Sequence, residues 1–181
     1  MNKEYVVVIF VSRHKDNREV EDFAPRSRAF FCEFGDKRIE KEYDLFLNEG
    51  LPGEMSRMYV SINKRKNEKV QKDLIHYLID NDLDLTKIES KVASLAMKPG
   101  TALEHKWLFD FDLDSYEEVE NFIKDIKNTD SEVGITLAKT PNGFAVITDR
   151  GFNSLHLMNK WSENVTLKRD GMLCYHWGRK E

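Results

Sequence analysis

Apolar residues run almost without a break over residues 5–13, a β-branched and aromatic stretch that predicts a strand. Residues 28–34, Arg-Ala-Phe-Phe-Cys-Glu-Phe, predict a second strand. A short helix is expected over 37–48, where Ile39, Tyr43, Leu45, Phe46 and Leu47 supply the apolar positions, and Gly50-Leu51-Pro52-Gly53 breaks it. Residues 57–63 alternate, with Met58, Val60 and Ile62 on one face and Arg57, Tyr59, Ser61 and Asn63 on the other, so a half-buried strand is predicted. Val70, Leu74, Tyr77 and Leu78 fall at helical spacing over 68–79, and a further helix over 84–97 is stopped by Lys98-Pro99-Gly100.

The pattern sharpens after that break. Residues 106–113 read as a strand whose apolar run is interrupted by Asp110 and Asp112. A helix through about 127 follows, with Tyr116, Val119, Phe122, Ile123 and Ile126 inside it; Ser115 with Glu118 fits a capping box. Residues 134–138 and 144–148 flank Thr140-Pro141-Asn142-Gly143, a hairpin signal because Asn-Gly suits positive φ. Residues 152–161 form a short helix or connection. Strands over 165–168 and 172–177 surround Arg169-Asp170-Gly171, a second hairpin signal. The sum is an α+β fold: a central, mostly antiparallel sheet with helices packed on one side. It reads as one domain over 1–181, with a subdomain joint near 98–101 and the acid-bearing strand in 101–181.

Length and composition narrow the class. At 181 residues the chain buries a core without staples, and no apolar stretch is long enough to span a membrane. No cleavage site follows the short N-terminal apolar run, and two cysteines are too few for a disulfide or zinc framework, so a reduced cytosolic protein is expected. A net charge of −4 excludes coating nucleic acid by bulk charge but leaves room for a local basic face. Over 57–72 six basic residues stand against one acid, whereas over 103–132 ten acids stand against three lysines.

The densest candidate chemistry is Trp107-Leu108-Phe109-Asp110-Phe111-Asp112. Alternation puts Asp110 and Asp112 on one face of a strand and Trp107, Phe109 and Phe111 on the other. Adjacent carboxylates repel unless a cation lies between them, and Mg²⁺ or Mn²⁺ with phosphate as co-ligand is the usual solution. A solvated sheet face is the plainer alternative.

A strand of hydrophobic-Asp-hydrophobic-Asp form, a helix and a Gly-containing hairpin resembles the archaeo-eukaryotic primase and primase–polymerase superfamily, and small phage proteins with that core. The stretches that carry the resemblance are 57–63, 107–112, 139–144 and 168–175. It implies an RRM-like sheet in which Asp110 and Asp112 hold divalent metal and the incoming nucleotide, a histidine on the later hairpin strand contacts the triphosphate, and a third carboxylate completes the metal site. The expected histidine position here holds Ala145, and the third acid would be Asp170, in a turn, with Val165 in the acid's usual place. The phosphate-contact role would pass to Arg57, Lys139 or His156. Asp110-Phe111-Asp112 also resembles the first motif of haloacid-dehalogenase-type phosphatases, which use a parallel α/β sheet. Lys168-Arg169-Asp170-Gly171 matches the Lys-x-Asp-Gly of nucleotidyl ligases, but too little chain follows it, and it reads as a turn.

The basic stretch adds a candidate nucleic-acid surface. Arg57 would fork onto phosphate, Tyr59 would stack a base, and Asn63, Lys64, Arg65 and Lys66 would extend the contact; a lysine-protected edge strand is the alternative. The leading expectation is thus a metal-dependent nucleotidyl- or phosphoryl-transfer domain acting on nucleotides or nucleic acid. The alternative is a non-catalytic module on the same fold that binds nucleic acid, a nucleotide or a protein.

Overall fold

The computed structural model describes residues 3–181. They divide into two compact units, one of Met1–Leu103 with Cys174–Glu181, the other of Glu104–Leu173. The expected α+β class is what the structure shows, with the strands shared between two four-stranded antiparallel sheets. The division falls just past Gly100, whose φ of 84° is one that a glycine adopts without strain.

In the first unit the sheet order is β2-β1-β3-β8, with β1 Tyr5–Ser12, β2 Arg26–Glu33, β3 Met55–Ser61 and β8 Met172–Arg179. Val6, Val8 and Phe10 of β1 point to one face, where they form a core with Met58 of β3 and with Tyr43 and Phe46 of α1 (Arg38–Asn48). Phe10 meets Tyr43 edge-on at 5.4 Å. The opposite face is also covered, because α3 (Ile88–Ala96) packs on β2 and β1. A strand buried on both faces has no polar side to show, which is why β1 reads as an unbroken apolar run. Helix α2 (Asn67–Asp80) packs on α3 through Val70, with Leu74 and Tyr77 half-buried.

The second unit runs β4 (Trp107–Phe111), α4 (Tyr116–Thr129), β5 (Ile135–Thr140), β6 (Gly143–Thr148), α5 (Leu155–Trp161), β7 (Val165–Lys168). Its sheet order is β5-β6-β4-β7, the split βαβ arrangement. Phe109, Phe111, Phe144, Val146 and Val165 face Val119, Phe122 and Ile126 of α4 and Leu157 and Trp161 of α5, so both helices lie on one face. The Ser115 hydroxyl accepts from the Glu118 N–H at 3.3 Å and starts α4 at the expected place.

The first expected hairpin forms, between β5 and β6, though with a different turn geometry, and the second does not. Thr140 pairs with Gly143, so Pro141 and Asn142 form the hairpin loop, and neither Asn142 nor Gly143 has positive φ. Pro141 fixes its own φ near −65°, which excludes the turn that Asn-Gly favours. Glycine is needed at 143 for another reason: a Cβ there would lie 2.2 Å from the Phe111 carbonyl oxygen. Arg169-Asp170-Gly171 does not close a hairpin. β7 pairs with β4 and β8 lies beside β3, so this turn carries the chain from one sheet to the other. Local turn chemistry bends the chain but does not choose a strand's partner.

Candidate functional site

Asp110 lies on the central strand β4, on the face away from the helices, because Phe109 and Phe111 fill the core on the other. Its cross-strand neighbours are small: Ala145 on β6 and Thr166 on β7, with Ala138 of β5 beyond Ala145. Lys168 pairs with Leu108, two positions before Asp110, and so stands diagonally across from the carboxylate on the same face. Its ammonium donates to Asp110 Oδ2 at 2.5 Å, with Asp110 30% and Lys168 43% exposed. The like-charge problem posed by two neighbouring aspartates is answered at Asp110 by the chain's own cation.

Asp112 is exposed, just past the end of β4, where its N–H donates to the Asn164 carbonyl at 3.0 Å and keeps the chain extended beside β7. Lys139 is not on this face. It pairs with Phe144, a core residue, lies 4.3 Å over that ring, and forms an ion pair with Asp114 at the entry to α4. His156 is exposed on α5, in the helix layer behind the sheet. Asp170 is exposed in the turn after β7. The structure brings Asp110 to Ala145, the position where the resemblance implies a histidine, but it does not bring Lys139 or His156 to that face. Among the described residues no three His, Cys, Asp or Glu side chains converge as a metal site. Asp110 is held by Lys168, Asp112 sits at an exposed strand exit, and Asp170 lies in a turn. The antiparallel sheet around Asp110 also differs from the parallel one that the phosphatase resemblance implies.

The basic stretch lies mostly inside the first unit. β3 is not an edge strand but is flanked by β1 and β8, and its polar side chains are taken up in internal contacts. Arg57 is buried and donates to Asp16 Oδ1 at 2.7 Å, while Arg13 holds the other oxygen at 2.8 Å. Tyr59 is half-buried under the Arg13 guanidinium, 6.0 Å from the ring centre, and burial pushes its phenol above the ordinary value. Asn63 and Arg65 are each 1% exposed, and the Arg65 backbone bridges Tyr5 and Ala102. Lys64 pairs with Glu4 at 2.6 Å; Lys66 is exposed, its ammonium 3.4 Å from the Gly100 carbonyl. The two residues that sequence reasoning missed are Lys168, as the partner of Asp110, and Asp16, as the anchor of Arg57. Both depend on register and long-range contact, and no local signal marks either. No helix among the described residues is long and apolar enough to cross a membrane.

Comparison with protein families, with curated proteins and with solved structures gave no match to this chain.

Proposed function

We propose that this protein is a non-catalytic interaction module whose second unit keeps a sheet resembling the primase–polymerase core without its chemistry, and that it acts in the cytoplasm. The observation that carries this reading is the Lys168–Asp110 ion pair: an ammonium sits on the carboxylate where a catalytic cation would have to bind. Ala145 beside Asp110 adds no donor for a triphosphate. The partner is a protein rather than a polynucleotide, because Arg57, Asn63 and Arg65 are inside the first unit and do not form an exposed phosphate-binding row.

A second reading, Mg²⁺- or Mn²⁺-dependent nucleotidyl or phosphoryl transfer, is favoured by one feature. Asp110 and Asp112 stand two residues apart beside small residues, and the lysine stem is flexible enough to swing aside. In that case the metal would lower the cost of bringing a charged phosphate to a nucleophile.

Calorimetric titration with Mn²⁺ separates the two, using the native chain, Asp110→Ala/Asp112→Ala and Lys168→Ala, with labelled-nucleotide incorporation on a primed template measured in parallel. The module reading expects no incorporation and the same negligible Mn²⁺ heat for the native chain and the aspartate variant; only Lys168→Ala, which uncovers Asp110, should gain weak Mn²⁺ binding. Incorporation by the native chain that disappears in the aspartate variant would overturn it.

A further inference from the structure

Strand β2 is an edge of the first sheet, and the usual guards of an edge are missing from it. It pairs with β1 over all eight residues in unbroken register, with no bulge and no proline. Its two arginines are taken up by the chain itself. Arg26 donates to Glu54 and to the Phe46 carbonyl, and Arg28 lies over the Phe30 ring and reaches Glu42. Register fixes which backbone groups the edge offers. The Phe34 N–H donates to the Glu4 carbonyl at 2.7 Å and Glu33 stands opposite Tyr5, so the even-numbered residues turn their N–H and C=O toward β1. Ser27, Ala29 and Phe31 turn theirs outward, and none of the three has a hydrogen bond beyond the sheet among the described residues.

Beside this edge lies a cavity of about 480 Å³. Ile39 and Glu42 of α1 wall it on one side, and Ile88, Glu89 and Val92 of α3 on the other. Phe30 and Phe31 are neighbours on the strand, so one points to each wall, and both stay half-buried. Unpaired N–H and C=O groups along a strand are matched by another strand. A second copy's β2 would bring its own α1 and α3 to the sides of its edge, where the same walls already stand, so the groove admits a strand without flanking helices. The walls also set its side chains. On the α1 side the charges are matched, Arg28 with Glu42 and Arg38 with Asp36. On the α3 side the exposed Glu89 has no ion pair among the described residues and stands beside apolar Ile88 and Val92. In an antiparallel addition, residues opposite Ser27, Ala29 and Phe31 face the α3 wall, and the residues between them face the α1 wall.

We infer that the β2 edge binds an extended segment of a partner protein by antiparallel strand addition, its apolar residues and one lysine or arginine on the α3 side alternating with neutral polar residues on the α1 side. The inference names where the interaction module proposed above takes its protein partner, and it rests on that reading.

Fluorescence polarisation of the full chain with labelled peptides tests it. The probes are a panel in which threonine alternates with valine and one lysine, about six residues long, enough to cross Ser27–Phe31 at ~3.4 Å per residue. The native chain should bind members of the panel, and glutamate in place of the lysine should weaken binding about fivefold; Glu89→Lys should reverse that preference. N-methylation of the valine and lysine amides removes the bonds to β2 and should abolish binding, whereas N-methylation of the threonine amides, which face away, should leave it. Ala29→Pro removes an outward N–H that the β1 ladder does not use, and should abolish binding while keeping native circular dichroism. No binding by any member of the panel, or equal loss from the two methylations, would overturn the strand pairing. A native chain that dimerises in sedimentation, with Ala29→Pro monomeric, would overturn the choice of occupant. The Mn²⁺ titration and nucleotide incorporation judge the module reading by themselves, so that reading and this inference fail separately.

Discussion

Gly143 has no room for a side chain: a Cβ would lie 2.2 Å from the Phe111 carbonyl oxygen and 2.9 Å from the Leu113 backbone nitrogen. Both are backbone atoms of the segment that carries Asp110, so neither can turn aside. Gly143→Ala should therefore cost about 1–3 kcal/mol, as overpacking of a close-fitted site does, and urea denaturation should show the loss as a lower midpoint. Cys32 supplies a pH-dependent prediction. Burial pushes its thiol from 9.0 up to about 11, the Asp36 carboxylate adds to the shift, and Arg38 opposes it. The native state thus keeps the proton where the unfolded chain has lost it. The associated stabilisation is complete below pH 9 and is lost as pH rises through about 11, because there the unfolded state binds fewer protons. Iodoacetamide labelling at pH 8, followed by peptide mass spectrometry, should find Cys32 unreactive in the native chain and reactive in denaturant. At this scale the candidate site was half legible. Asp110 and Asp112 declare themselves by apolar-acid alternation, whereas Lys168 is 58 positions from Asp110 and becomes its neighbour only through the β4–β7 register.

Elements whose signals are local came out close to expectation. The boundary at Ser115 was readable because a capping hydroxyl acts within three residues of itself, and α4 starts there. Ser115→Ala should lower stability by about 1 kcal/mol, leaving the Glu118 N–H without its partner, with the melting temperature as the measurement. Strand β3 shows the limit of such reading. Its alternation was visible, but a polar face on a strand reads as solvent-facing only if nothing covers it, and here β8 pairs beside β3 and Asp16 holds the arginine. A buried arginine and an exposed one leave the same trace in a hydropathy pattern, and only the contacts distinguish them.

The two units make separate predictions. Glu104–Leu173 contains all four strands of its sheet, both helices and its own aromatic core, so that fragment should fold alone and melt cooperatively by circular dichroism. A fragment ending at Leu103 lacks β8, which leaves the β3 ladder open on one side, and it should associate through that edge on size-exclusion chromatography. What the sequence determined by itself was the kind of each element and most of its inward positions: Val119, Phe122 and Ile126 at helical spacing, and Phe109 and Phe111 at strand spacing. These follow from backbone geometry and side-chain period, which act over a few residues. Tertiary structure alone decided that β7 and β8, three residues apart, enter different sheets, that Lys139 and Asp110 occupy opposite faces, and that Lys168 neutralises Asp110. Strand partner and register are set by which edges remain unpaired once the cores have packed, and that competition is between segments far apart in the chain.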